Sequence, residues 1–206
     1  MDSPTPLALS LFGSGSDAIQ AFASKLDAEG ETRGLIGPRE TERLWSRHII
    51  NSAALLPFLP PEGSVIDVGS GAGLPGLVIA IARPDLDVTL VEPMERRCAW
   101  LEEVIEELGL GNARVLRARS DQLPKGTVAD VVTARAVAAL PKLLRVTHQL
   151  VAPGGHLLAL KGKRACEEVS EAQKELRRFG FKARVEEVLS VLDGEVTYVV
   201  DCKRSR

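Results

Sequence analysis

The sequence predicts one doubly wound α/β domain: a mostly parallel, seven-stranded sheet with an antiparallel last strand and helices on both faces. Three observations predict it. Short β-branched runs alternate with helix-length segments from Ser64 onward, a glycine-dense turn follows the first run, and two strand-like runs close the chain. The runs at 65–68, 88–92, 114–116, 128–132 and 156–160 have the apolar content of buried strands, and helical patterns fill 75–82, 94–108, 140–150 and 165–179. Strands joined through helices pair in parallel by right-handed crossovers, which covers both faces of the sheet. The last two runs, 184–190 and 195–201, meet through Leu192-Asp193-Gly194, too short for a crossover, so they are read as an antiparallel hairpin.

Helices come before the sheet. Ser16-Asp17 caps a segment reaching about Glu29, and Pro38 opens a second that runs to about Leu56 with Leu44, Trp45, Ile49, Ser52 and Leu56 on one face. Such a face needs a larger surface to pack on. Residues 1–61 are therefore expected to be a helical extension of the core at 62–206, all within one domain, with the glycine-punctuated loop 30–38 inside the extension.

Composition narrows the class. A chain of 206 residues with 45% hydrophobic side chains can bury a core without metal or disulfide help. Cys98, Cys166 and Cys202 are scattered and lack metal-ligand spacing, so no metal site or disulfide framework is expected and a reducing cytoplasm suits them. Asp2, Pro4 and Pro6 stand where a signal peptide would be basic, and no apolar run reaches bilayer length; a cytoplasmic location away from membranes is expected. The net charge of -2 gives no global pull on nucleic acid, so any RNA partner would need a local basic patch.

The chemistry concentrates at residues 65–76, Val-Ile-Asp-Val-Gly-Ser-Gly-Ala-Gly-Leu-Pro-Gly, a strand running through a glycine turn into a helix. Gly71, Gly73 and Gly76 satisfy a dinucleotide fingerprint, but that spacing alone is weak. Asp67 is the better discriminator, and charge favours S-adenosylmethionine: a carboxylate there would repel a pyrophosphate and attract the methionyl ammonium. Glu92, ending the second strand, is placed to accept hydrogen bonds from ribose hydroxyls, and Ser120-Asp121, after the third, to meet the adenine amino group. The antiparallel last strand also separates methyltransferases from most dinucleotide-binding folds.

Absent motifs restrict what is methylated. Amine methylation usually employs an Asn/Asp-Pro-Pro-aromatic loop after the fourth strand, where this chain reads Val132-Thr133-Ala134-Arg135-Ala136-Val137. Carbon-5 methylation of pyrimidines needs a thiolate nucleophile, and the three cysteines sit in no matching motif. A nitrogen with a free lone pair, such as guanine nitrogen 7, would need no general base, leaving catalysis to positioning.

The chain resembles the glucose-inhibited division protein B family of bacterial 16S ribosomal RNA guanine nitrogen-7 methyltransferases over nearly its whole length. The resemblance is carried by Arg47-His48-Ile49-Ile50-Asn51-Ser52, residues 66–76, Arg96-Arg97, Ala134-Arg135-Ala136-Val137-Ala138 and Lys161-Gly162. It implies a Rossmann-like class I S-adenosylmethionine-dependent methyltransferase fold, with Gly69, Leu74, Ser120, Asp121 and Arg135 contacting the cofactor. It further implies 16S rRNA or the small ribosomal subunit as partner, met by a basic rim of Arg47, His48, Arg97, Arg135 and Lys161, with the last two positioning the target guanine and the enzyme acting as a monomer. The chain departs from the family pattern at Asn51 (commonly Asp), Ser120-Asp121 (commonly Ala-Glu) and Gly34-Leu35-Ile36 (commonly Asn-Leu-Thr). The acidic balance and few aromatics favour, as the alternative, a small-molecule methyltransferase; an NAD-dependent oxidoreductase is the reading outside that class.

Overall fold

Each expected strand run forms a strand: β1 (Gly63–Val68), β2 (Leu86–Val91), β3 (Ala113–Leu116), β4 (Ala129–Arg135), β5 (Val151–Lys161), β6 (Phe181–Leu189) and β7 (Val196–Arg204). The structure is a computed structural model describing residues 2–206. The strands make one sheet in the order β3-β2-β1-β4-β5-β7-β6. β1 to β5 pair in parallel, while β7 runs antiparallel to both β5 and β6. Because β1 has β2 on one side and β4 on the other, successive crossovers leave it in opposite directions, opening a crevice at the carboxyl ends of β1 and β4.

Strand alternation divides the core in two. Val65, Val88, Leu90, Val131 and Leu158 face one way, onto α2 (Ser16–Glu29), α4 (Gly76–Ala82) and α5 (Glu95–Leu108). Ile66, Val68, Val132, Leu157 and Val200 face the other, onto α6 (Leu140–Thr147), α7 (Ala165–Glu171) and α8 (Gln173–Phe179). Phe12, Ile19, Phe22, Leu26, Leu44, Trp45 and Ile49 of the N-terminal region belong to the first cluster, so this segment supplies part of the sheet's cover. Charge pins it as well: Lys25 and Arg33 of that region both pair with Glu103 of α5, Arg33 and then Lys25 holding its carboxyl down to about 2. Both cations lie over the Trp100 ring, 5.5 and 5.2 Å from its centroid.

Two helix expectations are corrected. Pro38 opens no helix; residues 38–40 are turn, followed by a 3₁₀ turn (Thr41–Arg43), a wide π-helical stretch (Trp45–Ile50) and the short α3 (Asn51–Ala53). The start is set from outside the segment, by Asp2, whose carboxylate accepts from the N–H groups of Trp45 and Ser46 at 2.8 and 2.9 Å. The wider winding turns Trp45, His48, Ile49 and Ile50 all inward. The expected helix 165–179 is broken at Ala172, where the backbone leaves helical geometry while its side chain stays fully buried, so it forms two helices, α7 and α8. A short α1 (Pro6–Ser10), capped by Thr5, precedes the elements read from the sequence.

Candidate active site

The turn after β1 is held by main-chain bonds: the N–H groups of Gly69 and Ser70 both donate to the Val91 carbonyl, at 2.8 and 3.2 Å. Two glycines there have separate reasons. A Cβ on Gly76 would lie 2.2 Å from Leu90 and 2.7 Å from the Asp67 carboxylate, so only glycine lets α4 start this close to the sheet. Gly71, at φ 56, has room for a Cβ, its nearest neighbours there being the Gly69 carbonyl at 3.7 Å and Arg97 at 3.9 Å, so its left-handed backbone rather than crowding is what favours glycine.

The two acids read as cofactor contacts are both buried. Asp67 is 0% exposed. Its carboxylate accepts from the Gly76 N–H at 3.2 Å and the Thr133 hydroxyl at 2.8 Å. It is thus closed off from direct contact with a ligand ammonium and instead joins β1, β4 and the start of α4. Burial pushes its carboxyl up to about 6, against the hydroxyl and N–H bonds and the positive charge of Arg135. Glu92, 2% exposed, accepts from the N–H groups of Gly71 at 3.0 Å and Met94 at 2.9 Å, one bond on each oxygen, which fixes the carboxylate beside the turn. Arg97 stands 3.9 Å from Glu92 beside the turn, and its buried Nε has no partner among the described residues.

A cleft of about 220 Å3 lies beside the turn, walled by Val68, Gly69, Val91, Pro93, Ala118, Val137 and Ala138, with Ser120 and Asp121 at its polar rim. Its apolar walls with a polar edge suit a planar base. Asp121 is bonded there by Arg119 through both carboxylate oxygens at 3.1 Å. Gly73 and Leu74 contribute to the glycine turn's framework; Leu74 is buried in the core.

A second cleft of about 550 Å3 adjoins it, bordered by His48, Asn51, Arg135, residues 136–139, Leu160, Lys161 and Glu168. Arg135, at the end of β4, donates to the Arg47 carbonyl at 3.3 Å and meets His48 Nδ1 at 3.0 Å. Burial, and then the Arg135 charge, hold the imidazole below its usual pKa, so neutral His48 offers a lone pair to the guanidinium while Nε2 lies 2.8 Å from Glu40, off the N–H axis. Burial also lowers Arg135 itself, with Asp67 and Glu40 pulling the other way. Of the expected basic rim, Arg47 is the most open at 55% side-chain exposure. His48 is an internal brace rather than a rim residue, because it is buried between Arg135 and Glu40. Lys161, expected on the rim, borders the cleft at 9% side-chain exposure, its amine donating to the Ala138 carbonyl at 2.6 Å and pairing with Glu168 at 2.7 Å.

Sequence reading missed Glu40, Thr133 and Glu168. Thr133 was legible as the in-register partner of Asp67 across β1 and β4, but only once pairing is known. Glu168 carried the faint signal of an acid in the first turn of a helix just after Lys161.

Residues 16–194 match the family described as rRNA small subunit methyltransferase G. The chain is 50% identical over 201 residues to "Ribosomal RNA small subunit methyltransferase G" of Clavibacter sepedonicus, covering 98% of this chain and 94% of that one. It is 51% identical over 194 residues to the protein of that name from Beutenbergia cavernae, covering 94% and 92%. Among solved structures, a SAM-dependent methyltransferase from Aquifex aeolicus superposes with TM-score 0.58 at 20% identity, covering 82% of this chain and 98% of that chain. TYW2 of M. jannaschii in complex with AdoMet gives TM-score 0.61 at 20% identity, covering 79% and 78%. At those identities the structures establish the class I methyltransferase fold, and the sequence matches, spanning almost the full length, establish that the chain belongs to the rRNA small subunit methyltransferase G (GidB) family.

Proposed function

We propose that the protein transfers the methyl group of S-adenosylmethionine to nitrogen 7 of a guanine in 16S rRNA of the small ribosomal subunit, acting as a cytoplasmic monomer. The observation that carries this reading is the pairing of two adjoining clefts, one apolar with a polar edge and one lined by Arg135, that share Val137 and Ala138 as a wall. The bound cofactor supplies a sulfonium whose methyl carbon is open to an in-line lone pair, with the C–S bond electrons leaving on sulfur. Val68, Val91, Pro93 and Val137 would sandwich its base, its methionyl arm would lie along the glycine turn at 69–71, and the unpartnered Arg97 Nε offers a donor beside that turn.

On the substrate side, the ionisable groups lining the cleft are engaged with one another. His48 accepts from Arg135, and Glu168 is committed to Lys161 and the Leu140 N–H. A nucleophile that arrives with its lone pair free suits such a site, because rate then comes from alignment. Arg135 is held at the end of β4 with donors to spare for guanine oxygen 6, while the open Arg47 is placed for backbone phosphate. In vitro methylation of small subunits and of naked rRNA, mapped at nucleotide resolution, tests the proposal. A single 7-methylguanine in 16S rRNA is expected; methyl transfer to any other atom, or only to small molecules, defeats it.

A further inference from the structure

The wall between the clefts is a strained segment with its own tether. Ala136, following β4, has φ 55, the single positive-φ residue other than glycine among the described residues. A non-glycine residue keeps that conformation only where its surroundings impose it. Val137 then leans onto the glycine turn, so close that a Cβ on Gly69 would come within 2.9 Å of its methyl. The segment is fixed on its other side by one ion pair: Lys161 Nζ donates to the Ala138 carbonyl at 2.6 Å, and Glu168, 2.7 Å from Nζ, also accepts from the Leu140 N–H at 2.7 Å. A single carboxylate oxygen therefore joins the end of β5, the first turn of α7 and the first residue of α6.

We infer that Glu168, acting with Lys161, is a positioning residue that holds the 136–139 wall against the glycine turn and so sets cofactor against guanine. Lys161 does its work from inside the protein, without touching RNA. The inference rests on the cofactor assignment above, and the readouts are chosen to separate the two.

The test uses the full chain with Glu168→Gln, Lys161→Met and the double variant, each checked for folding by its thermal transition. Both single variants are expected to weaken S-adenosylhomocysteine binding by calorimetry about 5- to 20-fold, the loss of a charged, largely buried hydrogen bond. The double variant is expected to be no worse than either single, since the pair acts as a unit. Amide exchange at Leu140 is expected to accelerate in Glu168→Gln without ligand, and kcat to fall while KM for RNA and the salt dependence of RNA binding stay at wild-type values. The inference is overturned if Lys161→Met lowers the salt slope by about one, the mark of a lost phosphate contact, or if Glu168→Gln leaves both Leu140 exchange and cofactor affinity unchanged. Failure of the wild type to bind S-adenosylhomocysteine would strike the functional reading instead, and Leu140 exchange would still decide the tether.

Discussion

The two clefts share a wall but are built by different means. The side proposed for the cofactor is framed by main chain: the Val91 carbonyl receives two turn N–H groups, and the buried carboxylates of Asp67 and Glu92 are satisfied by backbone N–H groups and one threonine. The substrate side is framed by side chains meeting side chains, Arg135 with His48, His48 with Glu40 and Lys161 with Glu168, drawn from distant parts of the sequence. A main-chain frame changes only if the fold changes. A frame of side chains can be adjusted residue by residue, which suits the face that must accept a large, charged partner.

Breaking the first frame should cost stability. Asp67→Leu strands the Gly76 N–H and the Thr133 hydroxyl in an apolar interior, and urea denaturation is expected to show a loss of about 3 kcal/mol or more; a loss below ~1 kcal/mol would show that the carboxylate is not the joint described. The same residue should give a pH signature. The native carboxyl keeps its proton up to about 6 against an ordinary value of 3.8. Unfolding in that window releases a proton, so its contribution makes stability fall as pH rises from about 4 to about 6 and then level off. Relative to Asp67→Asn, the wild type should lose about 1–3 kcal/mol across the window; parallel curves for the two proteins would remove the assignment.

In the second frame the expected effects move to activity. Arg135→Lys keeps the charge but gives up the planar guanidinium, so the one nitrogen that would replace Nη1 on the Arg47 carbonyl and His48 leaves no second aligned donor for the guanine, and methyl transfer is expected to fall about 10- to 100-fold with little change in melting temperature. A matching drop in stability would mean Arg135 belongs to the structural frame. The smallest effect is expected at the hairpin tip, where exposed Arg43 pairs with Asp193 and Glu195. Arg43→Ala should leave both melting temperature and turnover near wild type, as exposed pairs contribute little.

The same contrast explains what could be read from sequence. Strands and the glycine turn were legible because their signals are local: β-branched runs, a carboxylate, glycines in series. So was the helix from Ser16 to Glu29, but the segment after Pro38 was not, because Asp2 caps a helical start 43 residues along the chain, and no local pattern around Pro38 encodes that. Likewise no glycine or proline marks the break at Ala172, which packing imposes. At the site, positions were read correctly more often than partners. Asp67, Arg135 and Lys161 stand at the carboxyl ends of neighbouring strands as their spacing suggests, yet Asp67 is bonded to Thr133, which only the register brings near, and Lys161 to Ala138 and Glu168, which the fold gathers from two loops.

Trp100 gives the molecule an optical consequence. Its indole N–H donates at 3.0 Å to the carbonyl of Ala72, inside the glycine turn, while Lys25 and Arg33 lie over its ring. A shift of the turn on ligand arrival would change the field at that ring, so the protein's own fluorescence is expected to report occupancy of the proposed cleft without an added dye, which a titration with S-adenosylhomocysteine checks. The other tryptophan, Trp45, is buried in the N-terminal region, and Trp45→Phe would leave the emission to a single reporter.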